Sequence, residues 1–164
     1  MISRYTGLGL DAEATRYLKQ LVQANVDSRD SYRQAAEHSR NRKLQVTFTR
    51  LADERDHQAR ALRSVLWSSL EETDPERSVL SSAYGVWMNL RAKFGDVNSA
   101  LLAEAGRMEK SIRQHYVDTL EVIRGRAIRQ LLQEQLQAVI ASNERIQSLK
   151  KIFSESETAE SGPT

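Results

Sequence analysis

The chain has 164 residues, with 24 Lys and Arg against 22 Asp and Glu, no cysteine, two prolines and seven glycines. A chain of this length is expected to form one domain that buries roughly 70% of its unfolded surface, so it needs neither a disulfide nor a structural metal to hold a core. Lack of cysteine excludes thiolate zinc sites, iron–sulfur clusters and a thiol nucleophile, and the net charge of +2, with both signs interleaved, describes a solvated helical surface.

The first ten residues, Met1 to Leu10, read as an N-terminal extension without the apolar stretch of a signal peptide. Asp11 is a plausible N-cap, and the residues after it at spacings of three and four are Ala14, Leu18, Leu21, Asn25, Ser28, Tyr32 and Ala35, one face of a long helix. Ser39 to Arg42 form a short turn. A second stripe follows with Leu44, Phe48, Leu51, Arg55, Gln58, Leu62 and Val65. Two long helices joined by so few residues lie antiparallel.

The segment Ser68 to Arg77 has loop composition, and Val79, Ala83, Trp87, Leu90 and Phe94 mark a shorter helix closed by Gly95. Asp96 or Asn98 caps the next helix, whose stripe is Leu102, Ala105, Glu109, Ile112, Tyr116, Thr119 and Ile123. A turn around Gly125 leads to the last helix, read with Ile128, Leu132, Leu136, Val139, Ile140, Asn143, Ile146 and Phe153 inward. The tail from Ser154 to Thr164 is small and polar, which predicts disorder. The expected fold is all-α: a ferritin-like four-helix bundle over residues 11–153, two antiparallel hairpins joined by a long crossover that carries an extra short helix.

Each stripe carries polar residues near its middle: Asn25 and Ser28, Arg55 and Gln58, Glu109, and Asn143. Antiparallel packing brings these to one height, so a buried polar layer is expected. Tyr32 follows Asn25 by seven residues and Tyr116 follows Glu109 by seven, an internal echo that places both tyrosines at the flanks of the layer. Ferritin-like di-metal sites put carboxylates and Glu-x-x-His pairs in such a layer. The one Glu-x-x-His, Glu54 to His57, lies one residue away from the inward pair Arg55 and Gln58, a rotation of roughly 100°. Glu54, His57 and Glu109 are therefore weak ligand candidates for iron or manganese, and no cofactor is expected. Arg55 argues further against a metal, because its fixed positive charge repels divalent cations and pairs naturally with Glu109.

No catalytic residue is expected. His38, His57 and His115 fall off the inward stripes, and Gly7 and Gly9 lack the strand and third glycine of a phosphate loop. Two basic spots, Arg40 with Arg42 and Lys43, and Arg124 with Arg126 and Arg129, read as an anion patch or as cations near helix ends that complement the macrodipole. The second reading is preferred because no aromatic residue accompanies the charge, so nucleic acid is not an expected partner. No apolar run approaches the roughly 20 residues that span a bilayer. Trp67, Tyr84 and Trp87 are aromatic candidates for a partner site, with core packing favoured for Trp87. A homo-oligomer through helix faces and a cytoplasmic location complete the expectations.

The run Ser31 to Glu37 (SYRQAAE), Arg55, Trp87 with Leu90 and Arg91, and the run Leu101 to Tyr116 (LLAEAGRMEKSIRQHY) resemble a family of bacterial ferritin-like proteins catalogued as a domain of unknown function. The similarity covers about Leu10 to Phe153. It implies a ferritin-like bundle with an added crossover helix and an incomplete set of di-metal ligands, with an arginine matching Arg55. The chain departs from the family by carrying Asn143 where the resemblance implies a histidine. The leading functional expectation is a non-catalytic bundle with a structural, stress-associated or protein-interaction role. A metal-binding oxidoreductase or store, and a weak anion binder through the arginine spots, are the alternatives.

Overall fold

A computed structural model describes residues 10–69 and 96–160. It is an all-α four-helix bundle of α1 (Ala12–His38), α2 (Arg42–Ser69), α3 (Val97–Val122) and α4 (Arg126–Glu160). Three of the four helices begin where a side chain satisfies their free amides. Asp11 accepts from the Ala14 amide at 2.7 Å, Asn41 accepts from Lys43 and Leu44 at 3.0 and 3.2 Å, and Asp96 accepts from Ser99 at 2.9 Å. The shorter helix expected between Val79 and Phe94, with Trp87 and Tyr84, lies outside the described residues.

Buried positions advance by alternating steps of three and four in every helix. In α1 the central stripe is Ala14, Leu18, Leu21, Asn25, Ser28, Tyr32 and Ala35, flanked by buried Val22 and Val26; in α2 it is Leu44, Phe48, Leu51, Arg55, Gln58, Leu62 and Val65, flanked by buried Ala52, Ala59 and Leu66. In α3 it runs from Leu102 through Ala105, Glu109, Ile112, Tyr116 and Thr119 to Ile123. This is the 3.5-residue spacing of knobs-into-holes packing, which suits helices lying about 20° from antiparallel. Apolar side chains form one cluster on each side of the polar middle. One includes Leu18, Leu62, Ile112 and Leu132, and the other includes Phe48, Leu51, Leu102 and Ile146.

Two features of α4 differ from the expectation. Its buried positions are Ile128, Leu132, Gln135, Val139, Ser142, Ile146 and Leu149, whereas Leu136, Ile140, Asn143 and Phe153 are half-buried. The buried face keeps the three-four rhythm of the other helices, and two of its members are polar, so a stripe drawn through apolar residues rotates off it. The second feature is length. The helix continues from Ser154 to Glu160, where disorder was expected. Hydroxyls of Ser154, Ser156 and Thr158 bond back to carbonyls of the preceding turn, and adding residues to an existing helix avoids the cost of nucleation.

Hydrogen bonds fix the directions. Asn25 meets Tyr116 and Tyr32 meets Glu109, so α1 and α3 are antiparallel. Glu54 meets Ser142 and Gln58 meets Gln135, so α2 and α4 are antiparallel as well. Ser39, in the α1–α2 turn, donates to Asn98 at 3.3 Å. The start of α3 therefore lies at the α1–α2 turn, and α2 ends at the opposite end of the bundle. The four helices run up, down, down and up. No described helix is long and apolar enough to cross a membrane.

Candidate functional site

The middle of the bundle is crossed by a hydrogen-bonded layer contributed by all four helices. Arg55 and Glu109 are both fully buried and meet across the diagonal between α2 and α3. One guanidinium nitrogen, Nη2, donates to both carboxylate oxygens at 2.7 Å, and Nη1 donates to Gln58 Oε1 at 2.8 Å. Tyr32 of α1 donates its hydroxyl to Glu109. Gln58 and Gln135 exchange bonds between α2 and α4, each side-chain amide donating to the other residue's backbone carbonyl at 3.4 Å. Tyr116 donates to Gln135 Oε1 at 2.9 Å and accepts from Asn25 Nδ2 at 3.1 Å. The path therefore starts on α1 at Tyr32, passes through α3, α2, α4 and α3 again, and returns to α1 at Asn25.

Electrostatics hold the arginine of this layer charged and its two phenols neutral. Burial works against the charged Arg55 guanidinium, but the Glu109 charge and hydrogen bond outweigh it and raise the arginine above its ordinary value. Burial pushes the Tyr32 phenol well upward, and the neighbouring Glu109 carboxylate adds to the shift. Burial likewise raises Tyr116. Both tyrosines remain neutral donors at physiological pH. The arrangement is not fully satisfied, because Arg55 Nε and Ser28 Oγ have no hydrogen-bond partner among the described residues. One nitrogen serving two oxygens is also weaker geometry than a two-pronged guanidinium–carboxylate contact.

Of the residues singled out in the sequence, the structure brings Asn25, Arg55, Gln58, Glu109, Tyr32 and Tyr116 into one bonded path. Ser28 is buried at the same height without joining it. Asn143 is not brought into it. It is half-buried and bonds Gln147 on its own helix, because α4 turns its Gln135 and Ser142 face inward. Gln135 is the functional member that the apolar stripe missed. The step of three from Leu132, followed by four to Val139, is the sequence signal that finds it.

The residues weighed as metal ligands are dispersed. Glu54 is half-buried and interacts with Ser142, Arg50 and Arg145, His57 is exposed, and Glu109 is occupied by Arg55 and Tyr32. Among the described residues no three His, Cys, Asp or Glu side chains come together. A di-metal centre needs several anionic oxygen donors. The layer offers one carboxylate, already neutralised, with amides, neutral phenols and a guanidinium, and that donor set does not fit two divalent cations.

The other candidates sit at the surface. His38, His57 and His115 are exposed. Trp67 is exposed near the end of α2. Arg129 donates to the carbonyls of Leu120 and Ile123 at the end of α3, which makes it a helix-terminal cation, while Arg124 and Arg126 are exposed.

Residues 13–122 match the family model described as a domain of unknown function (DUF2383). The chain belongs to that family. No curated protein and no solved structure matches it. The DUF2383 stretch takes in α1, α2 and α3 and therefore holds both members of the ion pair and both tyrosines. Gln135 and Ser142 are supplied by α4, beyond the matched residues.

Proposed function

We propose that the chain is a non-catalytic, ferritin-like bundle in which the Arg55 and Glu109 pair, with its amide and phenol partners, occupies the space of a di-metal centre. Its action lies in contacts made by the surface, as a structural, stress-associated or protein-interaction component of a bacterial cytoplasm. The helix order supports the architecture, since an up-down-down-up bundle needs one connection over its full height, as ferritin-like bundles have. The observation that carries the reading is the fully buried guanidinium bonded to both oxygens of the one carboxylate in the layer. A fixed cation at that position opposes divalent metal, and the carboxylate it neutralises has no spare charge to offer.

The test is metal content after expression in medium supplemented with iron and manganese and purification without chelator. Substoichiometric iron and manganese are expected in the wild type. Near-stoichiometric metal, lost on Glu109→Gln, would overturn the reading and restore a metal-dependent oxidoreductase or store.

A further inference from the structure

Where α1 turns into α2 and α3 begins, the end of the bundle holds a cavity of about 350 Å³ between the turn residues Glu37 to Arg40 and the first turns of α3. That size falls at the lower end of the roughly 300–1,000 Å³ typical of small-molecule sites. The α3 wall is apolar. Ala100 and Leu101 follow Val97 by three and four residues, so all three share one face of the helix and line the cavity together. Leu101 belongs to the apolar cluster around Phe48 and Leu102, and Val97 packs against that cluster, so the core fixes this wall.

The opposite wall is the turn itself, and hydrogen bonds fix it. Ser39 is buried; its amide donates to the Ala35 carbonyl at 3.0 Å, its carbonyl accepts from Gln45 Nε2 at 2.7 Å, and its hydroxyl donates to Asn98. Its backbone is extended, with φ −71° and ψ 133°, so the chain leaves α1 there and Arg40 does not stand one turn above Glu37 as it would in a continued helix. Glu37 and Arg40 line the one cavity without pairing, and neither has an ion-pair partner among the described residues. His38, between them, donates from Nδ1 to the Gln34 carbonyl at 2.8 Å, so its neutral ring keeps Nε2 as an acceptor.

An anion, a cation, a neutral acceptor and an apolar wall in one small cavity call for a ligand with the complementary set. We propose that this cavity binds a free α-amino acid with an apolar side chain. Glu37 and His38 Nε2 accept from the ammonium, the planar guanidinium of Arg40 matches the carboxylate, and the side chain lies on Val97, Ala100 and Leu101. A charge at the end of the ligand's side chain would meet the apolar wall unpaired, so such amino acids are rejected. Both walls are already held in place, and little order is lost on binding. The site lies away from the Arg55 and Glu109 layer, so it adds a small-molecule ligand to the surface role whether or not that layer takes metal.

Amide chemical shifts of the full chain, titrated with L-leucine as the probe, test the proposal. Saturable shifts centred on residues 37–41 and 97–101 are expected, with a Kd on the order of 1 mM for a ligand this small. L-lysine and L-glutamate should bind at least about tenfold more weakly. Two analogues separate the charges: 4-methylpentanoate lacks the ammonium and isopentylamine lacks the carboxylate. Each should bind wild type about tenfold more weakly than L-leucine does. Glu37→Gln should bind L-leucine no better than 4-methylpentanoate, and Arg40→Gln should bind it no better than isopentylamine. Both residues are exposed, so circular dichroism and melting should match wild type and separate loss of binding from loss of fold. Shifts that do not saturate, shifts centred elsewhere, or variants that keep the wild-type preference for L-leucine over its analogues overturn the proposal.

Discussion

Neutralising Glu109 should be among the most damaging surface-silent changes in this protein. In the variant Glu109→Gln the side-chain volume is nearly kept, so packing loss is small and the electrostatic term is isolated. Arg55 would lose the carboxylate that takes two bonds from its Nη2, keep only neutral amide oxygens as acceptors for a buried charge, and still have an unpartnered Nε. Breaking a buried pair from one side costs about 3–5 kcal/mol. For a chain of this size each kcal/mol shifts Tm by about 2–4 °C, so a fall of ~6–20 °C is expected. The double variant Arg55→Met, Glu109→Leu removes both charges together and should lie within about 2 kcal/mol of wild type, because apolar replacement of a whole pair is often neutral. Thermal and urea unfolding followed by circular dichroism measure Glu109→Gln, the double variant and its two constituent single variants, Arg55→Met and Glu109→Leu, against wild type. The reasoning is refuted by a Glu109→Gln protein that melts with wild type, or by a double variant that loses the sum of both single changes.

Alkaline pH should destabilise the bundle through Tyr32 and Tyr116. Both phenols are raised in the folded state, so their stabilisation is complete below the unfolded value near 10 and is lost as pH rises through the folded values. Stability should fall above about pH 10 by ~1.4 kcal/mol per pH unit for each tyrosine, and Tyr116→Phe should remove one such contribution from the slope of Tm against pH. Asp11→Ala should cost about 1 kcal/mol by removing the N-cap of α1, readable as a modest drop in the urea midpoint. Arg129→Ala should destabilise by roughly 1–3 kcal/mol, since two buried-end carbonyls of α3 lose their donor. Hydrogen exchange at the end of α3 should then accelerate before exchange in its middle does.

The helices from Asp11 to Ile123 could be read in the sequence because caps and stripes agree there. In α1, α2 and α3 most inward positions are apolar, and the few polar ones continue the spacing of their neighbours, so Arg55 and Glu109 stand out as one cation and one anion facing the core. Their pairing follows from having no other charged partner on an inward stripe. In α4 the signal weakens for a physical reason: Gln135 and Ser142 hold two of seven buried positions, and the flanking Leu136 and Ile140 draw the eye to the adjacent, half-buried face. Composition likewise misleads for Ser154 to Glu160. A polar segment with few apolar groups cannot nucleate a helix, yet it can extend one that the core already holds. The partner choice of the layer, with glutamine joined to glutamine through backbone carbonyls, depends on side-chain geometry that no spacing reveals.

The diagonal placement of the ion pair also orders the folding reaction. The α1–α2 hairpin alone carries Arg55 on its apolar face without the carboxylate, and the α3–α4 hairpin alone carries Glu109 without the cation. Neither charge can leave water until both hairpins are present, so the layer closes only at the final docking of one hairpin on the other. Hairpin formation and apolar collapse near the two ends are expected to precede that event. Substitutions at Arg55 or Glu109 should accordingly speed unfolding and leave the folding rate almost unchanged, the pattern of contacts made after the transition state. The centre of the bundle is then a late-closing lock, which resists opening more than it assists assembly.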